Sequence, residues 1–381
     1  MKVVVVLPYL TSIGGAARYG WEFSEYLASQ GDNVIVVSLY TDRKLYNSKN
    51  ITIVDLEDKN KLTQTIWFWF NLRKISRKLS DFIKNEKPDI VFFNHFPSTM
   101  WVQKYDNIPT VCYPQDINLL YTNTYINDLP TLKRLFWRII RLFVRFYDKK
   151  KWKYFDQVIS NSKFSANHIS RFYDIKPIII YPGTNTTVFT NNSSQKQKAI
   201  LSMGDIGLRR ADLLIKAANQ LYKKRNDFKI WIVGNKGQHD KDLRKLVNRY
   251  GLTDVVEFFG KVPDSKLAQL HSESLAVVHL IKEAPFGLIV IEAMACETPV
   301  IAWKPSGAEE TIVHGETGFL IEENDEESLV RYIEKFLDEP QLSITMGKNA
   351  RIRVQKYFEM TKQYGELREF MQELINKKSN L

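Results

Sequence analysis

Residues 283–300 read EAPFGLIVIEAMACETPV, and the apolar stretch Ala276-Val-Val-His-Leu280 runs into them. The pattern predicts a buried strand, a Pro-Phe-Gly turn, and a helix that opens near Gly287 with one carboxylate, Glu292, early in it. The first N–H groups of a helix have no partners inside it, and their dipoles sum to a partial positive charge that suits phosphate. Gly287 leaves no Cβ in a ligand's way. Glu292 cannot sit against that phosphate, because two anions repel, so it is expected to accept hydrogen bonds from neutral hydroxyls such as those of a ribose. Phosphate plus hydroxyls points to a nucleotide. Taken alone, such a turn fits an ordinary βα unit with an exposed glutamate better.

The same unit recurs at the start of the chain. Val3–Leu7 reads as a buried strand, and Thr11-Ser-Ile-Gly-Gly15 leads into a helix over about 17–29 that Gly31 ends. Further strands are expected at 34–39, 51–56, 90–93, 110–113, 158–160 and 178–181, with helices at about 62–84, 132–153 and 165–172. Pro182-Gly-Thr-Asn185 and the polar run 191–198 then read as a linker. A second series of strands follows at 200–203, 229–233, 255–259, 276–280, 300–303 and 318–321, and after Leu329 the chain is almost wholly helical, broken at Pro340. Alternation of this kind implies parallel sheets. The chain of 381 residues accordingly holds two domains, expected at 1–185 and 199–357 with 186–198 between them.

Hydrophobic residues make up 44% of the chain, ample for two cores. Fifty-four Lys and Arg against 43 Asp and Glu give a net charge of +11, which fits an anionic partner without choosing among nucleotide, membrane and nucleic acid. No nucleic-acid motif is present, and none is expected as a partner. Cys112 and Cys296 are too far apart in sequence to indicate a disulfide framework or a zinc site, which suits a reducing cytoplasm. No apolar run reaches the length of a membrane span, and Val3–Leu7 is too short for a signal-peptide core.

The glycine pair Gly14-Gly15 lacks the three-glycine spacing of a dinucleotide fingerprint, so a dehydrogenase is not indicated. The ordered set is more specific: Gly14-Gly15, Ile159-Ser-Asn-Ser162, Tyr181-Pro-Gly183, Phe259-Gly-Lys-Val262, Phe286-Gly287 with Glu292-Ala-Met-Ala295, and Gly315-Glu-Thr-Gly-Phe-Leu320. In this order, over nearly the whole chain, it resembles the family-4 retaining glycosyltransferases of GT-B fold.

That resemblance implies an α/β architecture of two Rossmann-like, doubly wound parallel-sheet domains facing across a cleft, with a C-terminal helix (358–381) crossing back to the N-terminal domain. The C-terminal domain would hold a UDP- or GDP-linked sugar and the N-terminal one a glycan or lipid-linked glycan acceptor. No metal and no separate cofactor are implied, since the nucleotide sugar is itself a substrate. The donor-binding positions implied are Gly14, Gly15, Arg209, Arg210, Gly234, Lys261, Val262, Phe286, Gly287, Leu288, Glu292 and Glu310.

Family members carry two glutamates separated by seven intervening residues around the Phe-Gly turn. Glu292 matches the second, whereas the first position falls on Ala284 and Glu283 stands one residue away. Of the basic pair that neutralises the diphosphate, Asp205 replaces one member and Arg209 the other, with Arg210 beside it. The sugar-contacting histidine is replaced in Pro114-Gln-Asp116, leaving Gln115, Asp116 and the nearby His95 as candidates. Arg209, Glu283, Asp116 and His95 are the expected catalytic set, working by stabilising the departing diphosphate. Two other readings stay open: a nucleotide-sugar epimerase, and an inactive binding partner suggested by Asp205 and Ala284.

Arg134, Arg138, Arg141, Arg145 and Lys149 fall at helical spacing among Leu135, Phe136, Ile139, Phe143 and Phe146, and Ile66-Trp-Phe-Trp-Phe70 precedes Arg73, Lys74, Arg77 and Lys78. Both stretches are expected to favour an anionic membrane surface, which would make a cytoplasmic protein peripheral to the inner face. In the tail, Phe358, Tyr364, Leu367, Phe370, Met371 and Leu374 form an apolar stripe that needs a partner.

Overall fold

The structure, a computed structural model, describes residues 1–11, 14–57, 65–116, 121, 131–193, 195–204, 209–234 and 238–379. For 65–70, 132–133, 136, 139 and 238–239 it describes the backbone alone. The chain forms two units, one of residues 1–182 with 361–381 and the other of 183–360.

In the first unit, β1 (Lys2–Val6), β2 (Asn33–Ser38), β3 (Ile51–Asp55), β4 (Ile90–Asn94), β5 (Thr110–Tyr113), β6 (Gln157–Ser160) and β7 (Ile178–Ile179) form a parallel sheet in the order β3-β2-β1-β4-β5-β6-β7. Val3 pairs with Val34 on one side and Ile90 on the other. Val3 to Leu7 are wholly buried. A parallel strand covered by helices on both faces has no polar side, so the run is continuously apolar instead of alternating.

The second unit repeats the plan with β8 (Ala199–Met203), β9 (Lys229–Val233), β10 (Val256–Gly260), β11 (Ala276–His279), β12 (Val300–Trp303) and β13 (Gly318–Ile321), in the order β10-β9-β8-β11-β12-β13. In each sheet the order reverses once, between β1 and β4 and between β8 and β11. In open α/β sheets, ligands bind outside the carboxyl ends of the strands at such a switch point.

Local signals set the helix ends. Helix Gly15–Ser29 opens after extended Gly14 and closes at left-handed Gly31 (φ 81°). Ser162 caps helix Lys163–Tyr173 by accepting from the Ser165 N–H at 2.9 Å, and Asp325 does the same for helix Glu326–Asp338 through Ser328. Residues 186–198 lie in the second unit, where Lys196 Nζ donates to the carbonyl of Ser274 (2.8 Å) and the hydroxyl of Thr298 (3.0 Å).

The last helix, Met360–Ser379, packs on the first unit. Tyr364, Leu367 and Met371 are fully buried, and the Tyr364 ring meets Tyr19 and Phe23, each at 5.4 Å. Arg368 forks onto Asp32 (2.7 and 3.1 Å), and Lys378 pairs with Asp156. One member of the expected stripe belongs elsewhere. Phe358 precedes the helix and packs on Phe286 of the second unit, with ring centroids 5.7 Å apart. The break after Tyr357 turns it away from the 3.6-residue repeat of the tail helix.

Candidate functional site

Three neighbouring strands of the second sheet end in glycine: Gly204 follows β8, Gly234 follows β9 and Gly260 ends β10. The Gly204 N–H donates to the Val233 carbonyl (2.6 Å) and the Gly234 N–H to that of Gly260 (3.0 Å). A Cβ on Gly234 would lie 2.7 Å from the Gly204 oxygen, so backbone packs on backbone here. The three glycines line a cavity of about 10 Å³. Lys261, next in the chain, is exposed and Val262 half-buried.

Beyond His279, the last residue of β11, the chain enters left-handed backbone twice, at Glu283 (φ 53°) and at Gly287 (φ 92°). For a residue with a side chain this costs on the order of 1–3 kcal/mol and persists only where the surroundings enforce it. Here they do. The Gly307 N–H donates to the Ala284 carbonyl at 2.8 Å. A Cβ on Gly307 would lie 2.4 Å from both the Phe286 Cα and the Pro285 oxygen. Ala284 is buried, while Glu283 is half-buried.

Gly287 is the N-cap of helix Leu288–Ala295 and offers no side chain to its end. Leu288 is half-buried at that end, and Glu292 sits one turn on, 4% exposed. The exposed glutamate of an ordinary βα unit is thereby excluded. The Cys296 thiol, one turn further, is pushed up to about 12 by burial, with the Glu292 charge adding to the rise.

The His279 ring comes up against the same turn. Its Nε2 would lie 3.1 Å from a Cβ on Gly287, and it has no hydrogen-bond partner among the described residues. Burial, followed by the nearby charge of Arg209, lowers its pKa to about 3, so the imidazole is neutral. The structure therefore gathers Arg209, His279 and the Gly287 helix end at the switch point of this sheet. Arg210 is engaged otherwise: in left-handed backbone (φ 46°), it forks onto Asp212 at 3.0 and 3.2 Å. Glu310, half-buried, stands on the short helix Ala308–Thr311, which Arg353 ties down by donating to the carbonyls of Glu310 (2.8 Å) and Thr311 (2.7 Å). Asp205 lies outside the described residues.

In the first unit, Gly14 precedes helix Gly15–Ser29 as an N-cap with no side chain to offer its end, and a Cβ added there would meet nothing within 4 Å. Asn94, at the end of β4, donates to the Ala16 carbonyl (2.8 Å) and accepts from Gln115 Nε2 (3.0 Å), whose own carbonyl accepts from Asn161 (2.9 Å). This relay fastens the carboxyl ends of β4, β5 and β6 to one another. It also occupies Gln115, which leaves Asp116 beside His95. His95 is held in left-handed backbone (φ 67°), and burial lowers its pKa while the Asp116 charge opposes the shift.

His279 and Asn94 went unmarked in the sequence, although each is a polar residue closing an apolar strand beside a switch point, a placement that carries the signal.

The sequence profile of the family described as Glycosyltransferase Family 4 matches residues 13–188, and that described as Glycosyl transferases group 1 matches 184–353. A D-inositol 3-phosphate glycosyltransferase of Streptomyces avermitilis is 29% identical over 218 residues, covering 51% of this chain and 47% of that protein. The chain spans about half the length of the curated relatives it matches. Among solved structures, sucrose-phosphate synthase from Thermosynechococcus elongatus superposes with a TM-score of 0.82 at 21% identity, over 99% of this chain and 100% of that one. HepE from Anabaena, solved in complex with UDP (TM-score 0.77, 17% identity) and with UDP-glucose (0.76, 19%), covers 98% of this chain and is itself covered completely. With two sheets of Rossmann strand order and both halves matched in sequence, the chain belongs to the group 1, family-4-type glycosyltransferases of GT-B fold.

Proposed function

We propose that the chain transfers a sugar from a UDP- or GDP-linked donor to a glycan or a lipid-linked glycan acceptor, with retention of anomeric configuration. The observation that carries this reading is the convergence of Arg209, the neutral His279 and the uncapped Gly287 helix end, with buried Glu292 one turn away. The helix end and Arg209 suit a diphosphate, the latter as a bidentate donor. Glu292 suits ribose hydroxyls, and strained Glu283 is assigned to the donor sugar. His95 and Asp116 are assigned to the reacting sugar in the first unit, and the Gly14-Gly15 helix end to an anion.

Bond cleavage builds charge on the leaving diphosphate, so fixed donors aimed at it lower the barrier more than a strong base does. The reading calls for no metal or separate cofactor and places the reaction in the cytoplasm. The UDP and UDP-glucose complexes of HepE favour uridine as the base, and the naming of the sequence relatives as glycosyltransferases favours transfer over epimerisation.

Thermal unfolding with a panel of UDP-, GDP- and ADP-sugars tests the donor site, since a ligand at a hundred times its Kd adds about 2.7 kcal/mol. No stabilisation by any member would refute the donor site. NMR of the product then reports the anomeric configuration, and sugar conversion without an acceptor would identify an epimerase.

A further inference from the structure

Helix Thr131–Trp152 of the first unit presents an unusual face. Leu135, Leu142, Phe143 and Phe146 are 59%, 63%, 73% and 65% exposed, the four most exposed large apolar side chains on the described part of the first unit. Leu135, Arg138, Leu142, Phe146 and Lys149 recur every three or four residues, so apolar and basic groups share the solvent side. Arg138, Lys149 and Lys150 are exposed, and the Lys150 ammonium lies 4.2 Å from the Phe146 ring centre.

Arg134, Arg141 and Arg145 are half-buried, and Arg145 turns inward to the Tyr121 carbonyl at 3.2 Å. The basic residues thus do not form one outward stripe. The sole acidic residue of the helix, Asp148, is buried against Tyr173 and Trp152. Arg73, exposed on helix Thr65–Glu86, is close enough to act on Tyr147 and extends the positive charge beside this face.

An apolar ridge whose exposed charged neighbours on the same helix are Arg138, Lys149 and Lys150 fits an acyl-chain boundary beneath anionic headgroups. A protein partner of ordinary composition would bring acidic groups for the cations but has no need of four neighbouring apolar side chains left in water. No helix among the described residues is long and apolar enough to cross a membrane. We infer that helix Thr131–Trp152 lies in the plane of an anionic lipid surface, with Leu142, Phe143 and Phe146 inserted and Arg138, Lys149 and Lys150 at headgroup level. This inference rests on the exposed side chains of this helix, with Arg73 beside them, and is independent of the transfer reaction.

Because both native cysteines are buried, a cysteine introduced by Phe143→Cys can be labelled selectively with an environment-sensitive dye in the full-length chain. Adding phosphatidylglycerol vesicles is expected to shift its emission to the blue, whereas phosphatidylcholine vesicles are not. A dye at Val188→Cys, an exposed site in the second unit, is the control and should stay unchanged. In co-sedimentation, Lys149→Glu with Lys150→Glu should lower partitioning about tenfold or more, as each basic residue near a charged surface contributes roughly a fivefold factor. Leu142→Ser with Phe146→Ser should abolish it at physiological salt. Neither pair touches the core, so an unchanged thermal midpoint verifies the fold. Equal binding to both vesicles, wild-type binding by either double variant, or a blue shift that follows protein concentration without lipid would overturn the inference, the last by showing that a second copy covers this face.

Discussion

Whether a nucleotide sits at the Phe286-Gly287 turn depends on single residues, and each makes a separate demand. Gly287 has a φ of 92° and His279 Nε2 at 3.1 Å from where a Cβ would stand. Gly287→Ala should therefore lower stability by about 1–2 kcal/mol through backbone strain, measured by urea unfolding. Adding His279→Ala removes the crowding but not the strain, so full recovery in the double variant would show that sterics alone required glycine. Glu292→Gln should weaken donor binding about tenfold, because an amide accepts fewer hydroxyl bonds and presents two donors of its own. Unchanged affinity in calorimetry would remove Glu292 from the donor site. For Arg209→Ala, loss of a charge-assisted contact to the leaving diphosphate is expected to slow turnover about a hundredfold at saturating donor; a wild-type rate there would count decisively against the role. At this scale the sequence was legible where one residue type is obligatory, as at Gly287. It was not where the backbone could choose, since the left-handed conformation at Glu283 and the burial of Ala284 depend on Gly307, twenty-odd positions away.

Secondary-structure elements were legible wherever burial on two faces left one kind of residue. Val3–Leu7 and Ile90–Phe93 read as strands for that reason, and the observed strands start or end within a residue of the expected ones. Helix faces were less legible. Periodicity placed helix Thr131–Trp152 but not which of its arginines turn inward, because that depends on Tyr121, to which Arg145 donates. The same helix buries Asp148, whose pKa burial pushes up to about 7 from an ordinary 3.8, although hydrogen bonds from Tyr173 and Trp152 oppose the rise. The folded chain thus holds this proton more tightly than the unfolded chain does. Its stabilising effect is complete below pH of about 4 and is lost as pH rises through about 7. Asp148→Asn cannot titrate, so the stability of the wild type relative to the variant should grow on acidification across that window, by up to about 1.4 kcal/mol per pH unit. Parallel urea-unfolding curves at both ends of the window would sink the argument.

For the molecule as a whole, the two-sheet plan was plain from two series of alternating strands and helices, and the return of the tail came from the family resemblance with its apolar stripe. What could not be read was that Phe358 stays with the second unit, since its burial against Phe286 is a contact across seventy-odd residues. Full burial of Tyr364, Leu367 and Met371 contributes roughly 5–9 kcal/mol, an upper estimate, which is comparable to the whole stability of a typical domain. Ending the chain at Met360 should therefore abolish transfer and raise binding of a hydrophobic dye. It keeps Phe358 in place and so should preserve nucleotide-induced stabilisation of the second unit, which a chain ending at Lys356 should weaken. An active chain ending at Met360, with no added dye binding, would show that the tail helix is dispensable. The division of the first unit into residues 1–182 and 361–381 also dictates an order of events on the ribosome. At roughly 5–20 residues per second, its missing helix leaves on the order of ten to forty seconds after the rest of it. The second unit, continuous in the chain, is finished first, although it is begun second. During that interval the nascent protein carries an open apolar seam around Tyr19 and Phe23, which makes the unfinished first half the natural client of a ribosome-bound chaperone.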